Sequence, residues 1–269
     1  MPVDTNIFGI LAIVFYLLSW LLIAWQFKSG SASRSKTINS ISWLVAVILH
    51  GAYLYLPLLS HDGLRLDLVS AGSQVLWLTS ALLFVTTCTR KIEVLALFVI
   101  PFATLLLLLD MLTPFNGKSV QINGALGSHI LLSLLGYSTL FLATLQALLL
   151  SVQNRHLHNH QPGGIFIRSL PALQDMEHLL FRLILTGVIL LSAGLLTGFI
   201  FLEDLFGKQV LHKTVLSLIA WVVYTTLLIG HWRQGWRGRK AVKWTITAFV
   251  LLILAFFGSK FVQEVILSR

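Results

Sequence analysis

The chain is 269 residues long, with 57% hydrophobic residues and only 11% charged ones. A water-soluble domain of this size and composition would expose large apolar patches, so that class is excluded and a lipid bilayer is the solvent that fits. The formal net charge of +9 comes from basic residues dispersed between apolar runs. This pattern is typical of membrane topology and contact with anionic lipid heads, and it argues against nucleic acid as a partner.

Apolar runs of about twenty residues recur along the chain, and each is long enough to cross a bilayer as a helix. Lipid offers no partner to a free backbone group and no segment alternates like a barrel strand, so every span is predicted to be helical. We predict an all-α, polytopic membrane bundle that forms a single domain over 1–269. Its eight transmembrane helices are predicted at 7–27, 39–59, 68–88, 92–112, 127–151, 180–202, 211–231 and 243–262.

Basic residues fall mainly on one side of this predicted topology. The loops 28–38, 89–91, 152–179 and 232–242 hold eleven lysines and arginines, whereas the other loops and the two ends hold four. By the positive-inside rule the first set is cytoplasmic, so both termini are predicted on the outer side of a bacterial inner membrane. Within the longest loop, residues 170–180 are predicted to form a short interfacial helix that runs into the sixth span.

Nine histidines divide into a loop group and a membrane group. For the loop group, solvated surface residues are the ordinary interpretation, and the HxHxH spacing at 156–160 is only a weak indication of a metal site. The loop group is His61, His156, His158, His160 and His178. The membrane group is His50 near the middle of the second span, His129 and His212 at the outer ends of the fifth and seventh, and His231 at the inner end of the seventh.

A neutral imidazole among apolar and aromatic side chains is a natural axial ligand for haem iron. Zinc would more often need several ligands including a carboxylate or thiolate, and a proton path would need an acidic partner at depth. Cys88 is the only cysteine and no CxxCH pattern is present, so covalent haem attachment to this chain is not expected. The hypothesis is therefore non-covalent haem b, and haem iron is the only metal expected.

Helical spacing places aromatic and hydroxyl side chains beside these histidines, although helix packing through small polar residues explains the same stripes. The predicted haem-pocket neighbours are Trp43, Tyr53, Trp77, Ser133, Tyr137, Trp221 and Tyr224. An outer site at His129 and His212 with an inner site at His50 or His231 is one arrangement, and a site shared by His50 and His129 is another. A single histidine taken alone is equally consistent with a hydrogen-bonded interior residue.

Several segments resemble the cytochrome c assembly family, the haem-handling membrane proteins of CcsA, CcmC and HemX type, and most of all its short HemX-like inner-membrane branch. The segments are 128–137 (SHILLSLLGY), 212–224 (HKTVLSLIAWVVY), 230–231 (GH), 235–240 (GWRGRK) and 258–262 (GSKFV). The resemblance implies a haem-binding protein linked to cytochrome c biogenesis or haem homeostasis. It matches His129 to the family's first outer ligand and His231 to the histidine that closes the conserved membrane helix.

Two departures from the family pattern change this expectation. Residues 206–210 (FGKQV) stand where a tryptophan-rich WxWD-type stretch is expected, and Lys260 stands near the place of a second outer histidine. Both argue against attachment of haem to apocytochrome, and no span groups a nucleophile, an acid and a base, so an enzyme is not expected. The alternatives are a regulatory partner of a tetrapyrrole-synthesis enzyme, contacting it through 152–179 and 233–240, or a transporter of an unrelated small solute. Cytochrome c maturation components are the other candidate partners.

Overall fold

The computed structural model of the chain describes residues 5–29, 34–59, 63–89, 92–113, 119–120, 124–158, 170–201 and 211–262. Almost all of these residues are helical. The helices are α1 (Asn6–Ser29), α2 (Arg34–Leu59), α3 (Leu68–Thr87), α4 (Ala96–Leu112), α5 (Gly124–His158), α6 (Leu173–Phe201), α7 (Leu211–Gln234) and α8 (Gly238–Ile253). A 3₁₀ turn (Glu93–Leu95) precedes α4, and a π-helical turn (Leu254–Gly258) followed by a short α-helical turn (Ser259–Phe261) extends α8. In the described ranges, extended pairing is limited to one antiparallel bridge between Leu64 and Val120.

All eight predicted spans are confirmed as helices long and apolar enough to cross a membrane. Several helices extend beyond their predicted limits, and two extend farthest: α5 continues to His158 and α6 begins at Leu173. The segment predicted as an interfacial helix is therefore the first part of α6, with Asp175 in its first turn, where a carboxylate interacts favourably with the helix dipole. Hydropathy identifies only the apolar part of a helix, whereas the end of α5 and the start of α6 are helical but polar.

The chain forms two compact units. The first unit comprises residues 1–122 with 163–170, and the second comprises 123–162 with 171–269. In the first unit α1 packs on α2 and α4, and α3 packs on both α2 and α4. In the second unit α5 packs on α6 and α8, and α7 also contacts both of those helices. The single domain over 1–269 stays a prediction.

Small residues allow α5 and α6 to approach closely. A Cβ added at Gly194 would lie 3.2 Å from the Ser133 hydroxyl oxygen, and one at Gly136 would lie 3.4 Å from the backbone nitrogen of Leu191. A Cβ at Gly187 would overlap the Leu140 side chain. Where a helix has no side chain at the contact, its backbone is accessible to the neighbouring helix, and the Gly194 carbonyl is accessible to α5 in this way.

A charged network ties together the predicted outer ends of α3 and α4 in the first unit. Asp110 is only 2% exposed, and it accepts a hydrogen bond from the Ser70 hydroxyl. The Nη2 atom of Arg65 lies 3.6 Å from the same carboxylate, and Asp67 caps the first turn of α3 through the Ser70 backbone amide. Because an isolated buried carboxylate is costly, the guanidinium and the hydroxyl are what allow Asp110 to lie at this depth.

Cys88 gives a direct test of the predicted orientation, because it is exposed at the C-terminal end of α3, on the predicted cytoplasmic side. In spheroplasts we expect a membrane-permeant maleimide to label it and a charged, impermeant maleimide not to. A matched variant moves the thiol to the other side: Thr113 is exposed at the end of α4, so Cys88→Ala combined with Thr113→Cys should react with the impermeant reagent. The opposite labelling pattern would show that the protein has the reverse orientation in the membrane.

Candidate functional site

His50 lies at the centre of the first unit and is completely buried. Its Nε2 atom is 3.0 Å from the Ser73 hydroxyl oxygen, and its Nδ1 atom is 3.4 Å from the Tyr16 hydroxyl oxygen. The Tyr16 ring also meets the imidazole edge-on, with centroids 5.8 Å apart. An axial ligand needs one free nitrogen facing open space, so these surroundings do not fit His50 as a haem ligand. These contacts instead indicate a structural role, in which His50 of α2 joins α1 and α3.

The predicted pocket neighbours in the first unit also use their polar atoms for helix packing. The Trp43 indole nitrogen donates to the Ser80 hydroxyl at 2.9 Å, and the Trp77 indole nitrogen donates to the Val47 carbonyl at 2.8 Å. Tyr53 belongs to a buried cluster with hydrophobic residues of α1 and α4. Ser73, Trp77 and Ser80 of α3 therefore face α2, and the helix-packing interpretation accounts for them.

His50→Ala should destabilise the first unit, because it leaves two buried hydroxyl groups without the imidazole that joins them. We expect the free energy of unfolding to fall by about 2–3 kcal/mol, measured by SDS titration in mixed micelles. His178, exposed on α6, provides the matched control, and His178→Ala should change the same quantity by less than about 0.5 kcal/mol. Equal effects of the two substitutions would contradict a structural role for His50.

His129, near the start of α5 in the second unit, is half-buried and differs from His50 in its partners. Its Nδ1 atom lies 3.0 Å from the carbonyl oxygen of Gly194 and 3.3 Å from the Thr197 hydroxyl oxygen. A carbonyl oxygen can only accept, so Nδ1 carries the ring proton and Nε2 keeps its lone pair. Nε2 makes no hydrogen bond to any residue that the structure describes. Metal-binding histidines commonly donate their other ring N–H to a carbonyl in this way.

Aromatic rings and ammonium groups gather in the predicted outer half of the second unit. Tyr137 donates to the Leu252 carbonyl at 3.1 Å, and its ring lies 5.8 Å from that of Phe256. The ammonium groups of Lys213 and Lys260 each lie 5.9 Å from the centre of the Phe256 ring. We call Tyr137, Phe256, Lys213 and Lys260 the outer cluster.

Helix register brings Lys260 to the level of His129. Tyr137 and Leu252 are joined by a hydrogen bond across the antiparallel helices α5 and α8. His129 lies eight residues from Tyr137 toward the predicted outer end, and Lys260 lies eight residues from Leu252 in the same direction. At 1.5 Å per residue both are displaced by roughly 12 Å, so the backbones of His129 and Lys260 lie at similar levels along the two helices.

The other predicted residues of this part of the second unit serve packing or lie at its surface. Trp221 donates to the Ser192 hydroxyl at 2.8 Å, and the fully buried Tyr224 lies 3.4 Å from the Thr245 carbonyl oxygen. Ser133 packs against Gly194, beside the backbone that holds His129. His212 is exposed in the first turn of α7, next to Lys213, and no hydrogen bond or ring contact joins it to His129 among the described residues.

His231, near the end of α7, repeats the hydrogen-bonding pattern of His129 at the opposite end of the second unit. Its Nδ1 atom lies 2.9 Å from the Trp236 carbonyl oxygen, so Nε2 again keeps its lone pair. The imidazole stacks on the Phe181 ring, with centroids 3.5 Å apart and planes inclined by 12°. One face of His231 is thus covered by an aromatic ring.

The turn after His231 explains the glycines of the segment 230–240. Gly235 and Gly238 have φ angles of +66° and +55°, a backbone region that favours glycine. The chain reverses there, and the Trp236 indole packs so closely on Gly230 that an added Cβ would overlap it. Gly230 therefore makes room for the residue whose carbonyl orients His231.

His129 and His231 are too far apart to bind one iron. Their contacts on α6 are Gly194 and Phe181, thirteen residues apart along one helix. That separation is roughly 20 Å along the axis. His50 belongs to the first unit, so its predicted pairing with His129 stays a prediction.

The residues of the second unit fit haem, whereas those around His50 do not. His129 combines a fixed tautomer with partial exposure and lies at the level of a lysine of the outer cluster, and His231 combines the same tautomer with an aromatic wall. In the described ranges no three histidine, cysteine or acidic side chains converge as a metal site would require. His61, His160 and residues 206–210 lie outside the described residues.

Phe181, Phe256 and the Gly194 carbonyl were not predicted as site residues. Each lies on a different helix from the histidine or tyrosine that it contacts, so periodicity within one span carries no signal for it. Lys260 was noted only as standing where a histidine was expected. Its depth relative to His129 depends on the register between α5 and α8.

Comparisons with known proteins agree with this architecture. Residues 8–267 match the family described as cytochrome C assembly protein. The inner membrane protein YpjD of Escherichia coli K12 is 33% identical over 266 residues, which covers 97% of this chain and 99% of that protein. Protein HemX of Brevibacillus brevis is 25% identical over 149 residues, 54% of each chain. The cytochrome c biogenesis protein CcsA of Prochlorococcus marinus MIT 9301 is 23% identical over 185 residues, 61% of this chain and 60% of that one.

No solved structure matches the chain. The eight apolar helices and the similarity to an inner membrane protein define a multi-pass protein of the bacterial inner membrane, as predicted. The chain belongs to the cytochrome c assembly protein family. The resemblance noted from the sequence is confirmed, and it extends over nearly the whole chain.

Gly230→Ala tests how the turn positions His231. The added methyl group must displace the Trp236 indole, and overpacking of this kind costs about 1–3 kcal/mol. We expect a lower free energy of unfolding and a change in the ¹⁵N chemical shifts of the His231 imidazole as Nδ1 loses its carbonyl partner. Gly124→Ala is the control, because nothing lies within 4 Å of a Cβ placed there. Unchanged His231 shifts in Gly230→Ala would show that Trp236 does not orient the ring.

Proposed function

We propose that this protein binds haem b non-covalently at the predicted outer end of its second unit, with His129 as the iron ligand. The observation that carries the proposal is the hydrogen bond from His129 Nδ1 to the Gly194 carbonyl, which leaves Nε2 with its lone pair on a half-buried ring. Imidazole in an apolar, aromatic setting is a common axial ligand of haem iron. Haem bound there would supply a redox-active iron centre, and His129 would hold it.

The outer cluster supplies the electrostatic part of the proposed site. Haem carries two propionate groups, and an anion in a membrane protein requires a cationic partner. Lys213 and Lys260 place their ammonium groups about the Phe256 ring. The backbone of Lys260 lies at a level similar to that of His129. Phe256 and Tyr137 provide apolar ring surface between the lysines and α5. The lysines would orient the propionates while His129 orients the iron.

His231 is proposed as a second, separate ligand position at the opposite end of the second unit. The hydrogen bond from Nδ1 to the Trp236 carbonyl and the stacking on Phe181 hold the imidazole in one orientation, with Nε2 available as a ligand. Because roughly 20 Å separates the two levels, we propose two sites that each use one of these histidines. His212, exposed beside Lys213, remains a candidate for a second ligand at the outer site.

The proposed role is a carrier or store of haem, which binds and releases it without forming a covalent bond. The partners we favour are components of cytochrome c maturation, because CcsA relatives are named as cytochrome c biogenesis proteins. Regulation of a tetrapyrrole-synthesis enzyme is the alternative. Co-purification from cells that express each candidate partner would distinguish these roles.

His129→Ala should lower the affinity of the purified protein for haemin by at least about tenfold, the effect of losing roughly 1.4 kcal/mol of binding free energy. The measurement is a titration of protein in detergent, followed by the growth of the Soret band. His156→Ala is a matched control on the same helix, because the Nδ1 atom of His156 is also held by a backbone carbonyl, that of Val152. His156→Ala should bind haemin as the unaltered protein does.

A second pair of variants tests the outer cluster. Lys213→Ala combined with Lys260→Ala should weaken haemin binding while leaving the Soret maximum unchanged, since the lysines contact propionates and not iron. A shift of the maximum would instead make one lysine an iron ligand. The proposal fails if the unaltered protein takes up no haemin, or if His129→Ala and His156→Ala bind it equally.

A further inference from the structure

A cavity of about 310 Å³ lies at the predicted cytoplasmic end of the second unit, far from the outer cluster. It is formed by the end of α5, the start of α6 and the start of α8. Its volume falls at the lower end of the range of small-molecule sites. The lining is Leu150, Ser151, Asn154, Leu173, Glu177, Arg237, Gly238, Arg239 and Val242. We call it the inner cavity.

Two guanidinium groups dominate the electrostatics of the inner cavity. Arg237 and Arg239 flank Gly238, whose φ of +55° makes the turn into α8, and both arginines line the same space. Neither forms an ion pair with any residue that the structure describes. Because a guanidinium presents a planar fork of donors, a pair of them is suited to a phosphate group.

The acidic residue of the lining already has a partner. Glu177 accepts a hydrogen bond of 3.0 Å from the Gly238 backbone amide and so occupies the first turn of α8. The helix N-terminus is therefore not what would bind an anion here. Two arginines against one carboxylate leave the lining with a net positive charge, and the amide of Asn154 and the hydroxyl of Ser151 add neutral hydrogen-bonding groups.

Apolar side chains complete the inner cavity. Leu150 and Leu173 belong to the helices that bound it on one side, and Val242 lies one turn into α8 on the other. A site with a basic rim and an aliphatic lining at a membrane surface matches an amphiphile that carries a phosphate. Basic pockets between transmembrane helices on the cytoplasmic side bind anionic lipid head groups in this way.

We propose that the inner cavity is a binding site for a phosphate group, held by Arg237 and Arg239 with Asn154 as a further donor. The two sources of this chemistry are the head group of an anionic phospholipid and a soluble phosphate ester. The apolar lining favours the lipid. This site is separate from the haem site proposed above, and it requires neither His129 nor His231.

The test is a titration of delipidated, full-length protein with phosphatidylglycerol, with bound lipid counted by native mass spectrometry. Phosphatidylethanolamine, whose head group has no net charge, is titrated in parallel, and glycerol 3-phosphate represents the soluble source. We expect phosphatidylglycerol to be retained preferentially. Arg237→Ala combined with Arg239→Ala should weaken its binding by at least about tenfold, because two charge-assisted contacts are lost.

The matched control is Arg155→Ala combined with Arg182→Ala. These arginines are exposed on α5 and α6, outside the inner cavity, and their removal changes the net charge by the same amount. We expect less than a twofold effect on retention of phosphatidylglycerol. If the Arg237/Arg239 variant does not fold, Asn154→Ala leaves the charge unchanged and should still reduce retention by about two- to fivefold, the effect of one hydrogen bond.

The outcomes separate the possibilities. Selective loss of phosphatidylglycerol in the Arg237/Arg239 variant supports the site with a lipid as its source. Binding of glycerol 3-phosphate without lipid retention, lost in the same variant, supports it with a soluble source. Equal losses in the two arginine variants, or no binding of either phosphatidylglycerol or glycerol 3-phosphate, would overturn the proposal. Haemin uptake is measured on the same preparations, so that a failure of the phosphate site is distinguished from a failure of the proposed haem site.

Discussion

A polar atom inside a bilayer must find its partner within the protein, and this constraint decides what His50, His129 and His231 can do. Water is absent at that depth, so an imidazole nitrogen pairs with a hydroxyl, with a backbone carbonyl, or with a bound group. His50 uses hydroxyls for both nitrogens. His129 and His231 each use a carbonyl for one nitrogen only.

The kind of partner matters as much as its presence. A hydroxyl can donate or accept, so Tyr16 and Ser73 stabilise His50 in either neutral tautomer. A carbonyl can only accept, so it fixes the proton on Nδ1 and leaves the lone pair of Nε2 for a metal. Gly194 provides such a carbonyl because it lacks a side chain at the contact between α5 and α6, where its backbone meets Ser133 and His129. The close packing of α5 on α6 therefore also orients His129, the proposed ligand.

Hydropathy predicted the number of helices correctly because the bilayer imposes one dominant constraint along each span. The ends of α5 and α6 were missed because polar residues extend both helices beyond the apolar run. The environment of each histidine could not be predicted in this way. Tyr16 and Phe181 are 34 and 50 residues away from the histidines that they contact, and only packing between helices brings them there.

The position of Lys260 relates these local contacts to the proposed function. A second histidine was expected near this place, and Lys260 stands there instead, with its ammonium group beside the Phe256 ring that Lys213 also approaches. Two imidazoles would hold iron from both sides, whereas one imidazole with two cations would hold an anionic porphyrin by one metal bond and by its carboxylates. The second arrangement depends more on electrostatics, which are weakened by water and salt at the membrane surface. It therefore suits a protein that must release what it binds.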